Sequence, residues 1–409
     1  MSTLPEHPQV AKKPHVRYSR TVPMKMLRSN PISACCRRFA LLALCVVLVG
    51  CAAGRPLELE DVRTETPIGA VALFDATGHP INAPSATLPG MEKREFSVLA
   101  LSGGGADGAF GAGVLCGWSQ AGNRPRFDIV TGVSTGALMA SLVFAGPEFD
   151  SVLQDAYTTI RDDDIYEKKS VTGVFSDSLL DDTPLKEKIE SIVTEEFLDR
   201  VAGEHRAGRR LYVATTNLDS GEVVVWDMGF IAASDYSKRV ELYRSVLRAS
   251  AAVPGLFKPV YIQPSQASEA KQMHVDGSIK APLLLRGFML KQPAVSRRVY
   301  VIVNGQVRLS SADKAVKPEI LDISRKSIEE LLRGLLHRTL YQAYVTTRQS
   351  KASFAMISIP DNVRAAPNGL TFKPDVMKRL FEIGSSFGRS GGGWTSEPPR
   401  LEDLERIDG

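Results

Sequence analysis

From residue 96 onward, apolar positions follow two alternating patterns. Residues 96–101 and 128–133 are short, mostly apolar runs bounded by glycine and polar residues, which predicts buried strands. Residues 108–120 and 135–144 are small, apolar and longer, which predicts core helices. Residues 184–202 place Leu185, Ile189, Ile192, Val193 and Phe197 at helical spacing. Asp182 or Thr183 would cap that helix, with Pro184 in its first turn. Residues 211–216 and 223–226 are β-branched runs around Asp219-Ser220-Gly221 and predict a hairpin. Further helices are predicted over 236–251, 323–347 and 374–383, and further strands over 299–303 and 354–359, with an irregular tail after Gly384. Strands alternating with helices predict an α/β sheet covered on both faces.

The N-terminal part is patterned differently. Residues 1–38 carry Lys12, Lys13, Arg17, Arg20, Lys25, Arg28, Arg37 and Arg38 against one acid, Glu6. Eleven apolar residues follow, 39–49, too few to cross a bilayer, which takes about 20. A basic block before an apolar run of this length is the layout of a signal peptide. The run ends in Leu48-Val49-Gly50-Cys51, which resembles a bacterial lipoprotein signal. Cys51 is then the expected lipidation site and the new N-terminus. Ala52 after it implies, in a Gram-negative cell, transfer to the outer membrane. A start at Met24 or Met26 would give a leader of ordinary length. Cys35, Cys36 and Cys45 would leave with the signal, so Cys51 and Cys116 remain and no disulfide is expected. Residues 51–94, rich in Pro, Thr and Ala, read as a tether with one short strand over 71–74.

Composition adds little: 44% hydrophobic residues and a net charge of +4 over 409 residues are ordinary for a globular chain. Basic and aromatic residues do not interleave, so no nucleic-acid partner is expected.

Candidate chemistry gathers at the ends of the first two strands. Gly132-Val133-Ser134-Thr135-Gly136 closes one strand and opens a helix, the pattern of a nucleophile elbow. The turn leaves no room for bulk at Gly132 and Gly136. The helix dipole behind Ser134 favours developing negative charge. After the preceding strand comes a loop containing Gly103, Gly104, Gly105, Ala106, Asp107 and Gly108. Gly103, Gly105 and Gly108 spell the dinucleotide fingerprint G-x-G-x-x-G. The same loop would equally offer backbone N–H groups as an oxyanion hole. A dinucleotide site needs an acid at the end of the second strand. Asp128 lies at its start, and Ser134 at its end. That favours the oxyanion hole, built from Gly103, Gly104, Gly105, Ala106 and Gly108. Far downstream, His274-Val275-Asp276-Gly277-Ser278 is by itself a turn signal.

In this order the three motifs resemble the patatin-like phospholipase family. Asp182-Thr183-Pro184-Leu185, the strand from Ala214 to Leu218 and the segment from Ala249 to Phe257 extend the likeness over about residues 95–290. Gly391-Gly-Gly-Trp394 and Pro398-Pro399 carry it more weakly to about 400. The resemblance implies a patatin-like three-layer α/β/α sandwich with a mainly parallel central sheet. It implies a lipid ester substrate and no cofactor or metal. It also implies a Ser-Asp dyad: Ser134 as nucleophile, Asp276 as base, with Gly277 and Ser278 completing the Asp-Gly motif. A serine hydroxyl attacks well only when a neighbouring base takes its proton. Two residues depart from the family pattern. Asp107 stands where many members have Arg or Lys, which disfavours an anionic phosphodiester beside the site. Ser278 stands where Gly or Ala is usual. A Ser-Asp-His triad through His337 is the rival arrangement, and His274 is a candidate neighbour of Asp276.

The expected organisation is a signal over 1–50, a lipidated tether over 51–94, a catalytic domain over 95–345, and a C-terminal strand, helix and tail over 346–409. The expected activity is acyl-ester hydrolysis by an enzyme held on the cell-envelope membrane through Cys51. The alternatives are a nucleotide-binding protein using the glycine loop and a non-catalytic envelope lipoprotein with a hydrolase fold.

Overall fold

The computed structural model describes residues 66–71, 94–168, 178–264, 271–308, 316, 318–363, 365 and 369–399. The expected signal, Cys51, most of the tether and the last residues, 400–409, lie outside the described residues. In chain order the strands are β1 (Ala70–Val71), β2 (Glu95–Leu101), β3 (Ile129–Val133), β4 (Glu167–Lys168), β5 (Leu180–Asp181), β6 (Arg210–Asn217), β7 (Glu222–Asp227), β8 (Val260–Ile262), β9 (Gln272–Asp276), β10 (Ser296–Val303) and β11 (Ser353–Ser358). The helices are α1 (Gly108–Gln120), α2 (Thr135–Ala145), α3 (Asp150–Thr158), α4 (Thr183–Ile192), α5 (Glu195–Arg206), α6 (Met228–Ala233), α7 (Arg239–Ser250), α8 (Ile320–Gln349) and α9 (Pro374–Ser390).

The main sheet runs β1-β7-β6-β3-β2-β10-β11, with β9 beside β6 and β8 beside β9. The pairings from β6 through β3, β2 and β10 to β11 are parallel. Those of β7 and β9 with β6 are antiparallel. Strand side chains alternate between two cores, as the two-residue period of a strand requires. Leu99, Leu101, Val130, Leu211, Val213 and Ile302 join one, with α1, α2, α5, α7 and α9. Phe96, Val98, Ala100, Ile129, Val133 and Val301 join the other, with residues 283–290 and Leu340 and Ala343 of α8. The result is the three-layer arrangement with a mostly parallel central sheet.

Two helices differ from the expected spans. The amphipathic stretch 184–202 is broken: Val193 leaves helical geometry after α4, and the Thr194 hydroxyl caps α5 by accepting the Phe197 N–H at 3.2 Å. Periodicity continues across the break because both helices bury the same face. The last helix, by contrast, runs past Gly384 to Ser390. Here glycine serves packing. A Cβ on Gly384 would stand 2.1 Å from the Phe110 carbonyl oxygen, and one on Gly113 2.1 Å from that of Phe381. Glycines on both partners let α1 and α9 touch backbone to backbone. The expected domain edge at residue 345 falls inside α8, and β11 beyond it is a strand of the main sheet.

Candidate active site

β3 ends at Val133 and α2 begins at Thr135, so Ser134 alone makes the connection. Its backbone lies at φ 56° and ψ −128°. A side-chain-bearing residue holds such a conformation at a cost of about 1–3 kcal/mol. Space dictates the flanking glycines. A Cβ on Gly132 would stand 2.2 Å from the Gly136 carbonyl oxygen, and one on Gly136 2.5 Å from those of Leu101 and Ser102. Ser250, at the end of α7, holds the elbow from behind. The Ser134 N–H donates to Ser250 Oγ at 3.0 Å, and that hydroxyl donates to the Ala214 carbonyl at 2.8 Å.

Asp276 arrives through sheet topology. β3 pairs with β6 as far as Val133 opposite Ala214, and the next residue of β6, Thr215, pairs with Asp276. β9 therefore takes over the place of β3 beside β6, running the other way. Its last residue meets the residue that follows β3. This junction admits no side chain at Gly277, where a Cβ would stand 2.4 Å from the Ala214 carbonyl oxygen and 2.9 Å from Val133 Cγ1. The Asp276 N–H donates to the Ala252 carbonyl at 2.9 Å, and the Thr216 hydroxyl donates to the Asp276 carbonyl at 3.1 Å. The buried Asp276 carboxylate accepts the Ser278 N–H at 2.7 Å. Burial pushes its pKa up to about 6, and the Ser278 N–H and the nearby polar side chains of Ser134 and Ser278 pull against that rise.

The glycine loop lies against the elbow, but it is narrower than its sequence suggests. The Gly103 N–H donates to the Pro282 carbonyl at 3.0 Å and the Ala106 N–H to the Gly369 carbonyl at 2.7 Å. The Gly108 N–H turns back onto the carbonyls of Gly105 and Ala106. These amides are spent on holding the loop, which corrects the expected oxyanion hole. The Gly104 and Gly105 N–H groups have no acceptor among the described residues, and neither does that of Thr135 at the start of α2. Asn304 and Gly369, which the motifs do not reveal, shape the loop. A Cβ on Gly104 would stand 1.9 Å from the Asn304 carbonyl oxygen, and one on Gly105, whose φ is 58°, 1.9 Å from that of Gly369. Asn304 also grips Ser102, its N–H donating to Ser102 Oγ at 2.8 Å and its Nδ2 to the Ser102 carbonyl at 2.6 Å. The buried Tyr157 donates to the Thr135 carbonyl at 3.0 Å and joins the Thr135 hydroxyl at 2.6 Å.

Neither histidine candidate joins Asp276. His274 is buried between the Thr215 hydroxyl at Nδ1 (2.9 Å) and Gln272 Oε1 at Nε2 (3.2 Å), beside Trp226. Burial pushes its pKa down to about 4, so it is a neutral core residue. His337 Nε2 lies 2.6 Å from the Val307 carbonyl oxygen. Asp128 accepts the Ser97 N–H at 2.8 Å and Arg94 Nη2 at 2.5 Å, at the far end of β3 from Ser134. A nucleotide bound on the glycine loop would therefore not find it. Asp107 is buried in the 3-10 turn between the loop and α1, its N–H donating to the Gly104 carbonyl at 3.2 Å. Asp182 takes both Nε (2.7 Å) and Nη2 (3.2 Å) of Arg248, tying the start of α4 to the helix that delivers Ser250.

Residues 99–289 match the family model for Patatin, described as patatin-like phospholipase. No curated protein matches the chain. Among solved structures it is similar to VipD from Legionella pneumophila, at 12% identity and a TM-score of 0.35, over 81% of this chain and 71% of that one. It is also similar to human GIVD cytosolic phospholipase A2, at 12% identity and 0.33, over 73% and 58%. A third is ExoU in complex with SpcU from the type III secretion system of Pseudomonas aeruginosa, at 12% identity and 0.31, over 72% and 51%.

Proposed function

We propose that the domain, whose residues 99–289 match the patatin-like phospholipase model, cleaves carboxylic esters of lipids through a Ser134–Asp276 dyad and an acyl-enzyme. The observation that carries this is one strained serine, at positive φ on the end of a central strand, beside which the sheet pairing brings a buried carboxylate whose pKa burial raises to about 6. A base with a pKa near the working pH is basic enough to take a proton and mostly ionised when needed. Ser134 Oγ attacks the ester carbonyl carbon as its proton passes to Asp276. The carbonyl oxygen becomes an oxyanion facing the N–H groups of Gly104, Gly105 and Thr135, each such donor being worth about 3 kcal/mol. The intermediate collapses, and the alcohol leaves with the proton from Asp276. Water then attacks the acyl-serine and gives a proton to Asp276, the second intermediate collapses, Ser134 Oγ leaves with that proton, and the fatty acid is released. The imidazoles of His274 and His337 take no part.

As part of the same proposal, the mature protein is held at the bacterial envelope, on the outer membrane, through lipidated Cys51. The deciding experiment uses a fluorophosphonate probe and a panel of phospholipid, lysophospholipid, acylglycerol and p-nitrophenyl esters. Ser134 is expected to be labelled, and Ser134→Ala to lose both labelling and hydrolysis. An unlabelled, inactive wild type would favour the non-catalytic alternative.

A further inference from the structure

Helix α3 packs against α1 and α2, the two helices that begin at the glycine loop and at the elbow. Its Tyr157 is buried, and a buried phenol needs partners for its hydroxyl. Both of its hydrogen bonds among the described residues go to Thr135, the residue directly after Ser134. The phenol donates to the Thr135 carbonyl at 3.0 Å. Its single proton is then committed, so the Thr135 hydroxyl is the donor across the 2.6 Å contact with Tyr157 Oη. One oxygen thus fixes both the backbone and the side chain of Thr135.

The glycine loop follows the elbow residue by residue. A Cβ on Gly136 would stand 2.5 Å from the Ser102 carbonyl oxygen, one on Gly103 3.3 Å from Ser134 Cβ, and one on Gly108 2.6 Å from Thr135 Oγ1. The last of these points is also 2.8 Å from Tyr157 Cε1. The Tyr157 ring therefore fills the corner where the end of the loop meets the start of α2. Its hydroxyl grips one wall and its edge abuts the other. Among the described residues, the amides left without an acceptor belong to these two walls: Gly104 and Gly105 on the loop, Thr135 on the helix. An oxyanion gains from such donors only where they converge on one point. A phenylalanine would fill the corner as well as tyrosine does. Only the hydroxyl ties it to Thr135.

On the reading that Ser134 attacks a lipid ester, we propose that Tyr157 is a positioning residue of the oxyanion site, holding Thr135 so that its N–H stays turned to the same point as those of Gly104 and Gly105. It lies behind Thr135 and acts through that residue.

The test is hydrolysis of a p-nitrophenyl ester, with active sites counted by a fluorophosphonate probe. Alongside it, the amide NMR signal of Thr135 is followed in 15N-threonine-labelled protein, assigned by its loss in Thr135→Val. Tyr157→Phe is expected to lower kcat per labelled site about tenfold, to leave KM within about twofold, and to shift the Thr135 signal. Thr135→Val removes the hydroxyl bond from the other side and is expected to lower kcat a few-fold. It carries the test if Tyr157→Phe does not fold. In the double variant the loss is expected to be no greater than in Tyr157→Phe, because both changes break one link. An unchanged kcat per labelled site in Tyr157→Phe, whatever its stability, overturns the proposal, and so do losses that multiply in the double variant. If hydrolysis proves independent of Ser134, the proposed reaction falls and the Thr135 signal decides on Tyr157. A signal that Tyr157→Phe shifts upholds its grip on Thr135, and one that stays in place overturns it.

Discussion

Two buried aspartates bracket β3, and they are built for opposite purposes. Asp128, just before the strand, is 1% exposed and accepts both the Arg94 guanidinium and the Ser97 N–H. Asp276, at the other end, is 3% exposed, accepts the Ser278 N–H and, among the described residues, pairs with no cation. A carboxylate that ties a guanidinium to a backbone N–H acts as a staple. One buried among neutral donors stays ionised only on sufferance, and can accept a proton from a neighbour. Burial alone therefore does not mark a base. The chemistry of the partners does.

The largest effect should come from the proposed dyad. Ser134→Ala and Asp276→Asn are each expected to lower kcat/KM by roughly 10⁴-fold or more in an ester assay, while His337→Ala stays within about twofold. A large loss in His337→Ala would move the base to a histidine. Next comes the acid limb. Asp276 must be ionised to act, so kcat/KM of the wild type is expected to fall about tenfold per pH unit below about pH 6. A flat profile down to pH 4 would show that Asp276 is no base.

Stability should separate the two aspartates in the other direction. Asp128→Ala leaves the buried Ser97 N–H without its acceptor, which costs about 1–3 kcal/mol in a denaturant titration with kcat/KM nearly unchanged. For Asp276 the sign reverses. Its folded pKa of about 6 lies above the unfolded 3.8, so the folded state holds the proton more tightly. Stability is then lost as pH rises from about 4 to 6. Asp276→Asn is accordingly expected to melt a few degrees above the wild type at pH 8, with the gain shrinking toward pH 4. The same gain at both pH values would mean that ionisation of Asp276 is not what costs stability. The smallest effect concerns Asp107. Asp107→Arg is expected to narrow the preference for neutral over anionic esters by a few-fold, read as a ratio of kcat/KM values. An unchanged ratio would show that this side chain does not act on the substrate.

Much of this was legible in the residues. The elbow declares itself because its steric demands are local: a strand, one serine and two glycines within five positions. Helix α1 and the hairpin β6–β7 were legible for the same reason. The glycine loop was only half legible. Glycines advertise a close approach of backbone but do not say which amides remain free. That is settled by Pro282 and Gly369, whose carbonyls consume the N–H groups of Gly103 and Ala106. The end of α9 was misleading, since Gly384 reads as a helix terminator until α1 is placed against it. Ser250 gave no signal of its own, because any buried serine in a helix looks the same until its partners are known.

The residue order along the chain determined the strand-turn-helix around Ser134, the glycine-rich approach before it and the alternation of strands and helices, because each depends on neighbours within a few residues. Only the tertiary structure decided that Asp276, 142 positions after Ser134 (134 to 276), meets it. That meeting depends on where β3 stops along β6 and on β9 entering there antiparallel, with Gly277 small enough to let the strands pass. The burial that raises the carboxyl pKa belongs to that junction and not to any stretch of sequence.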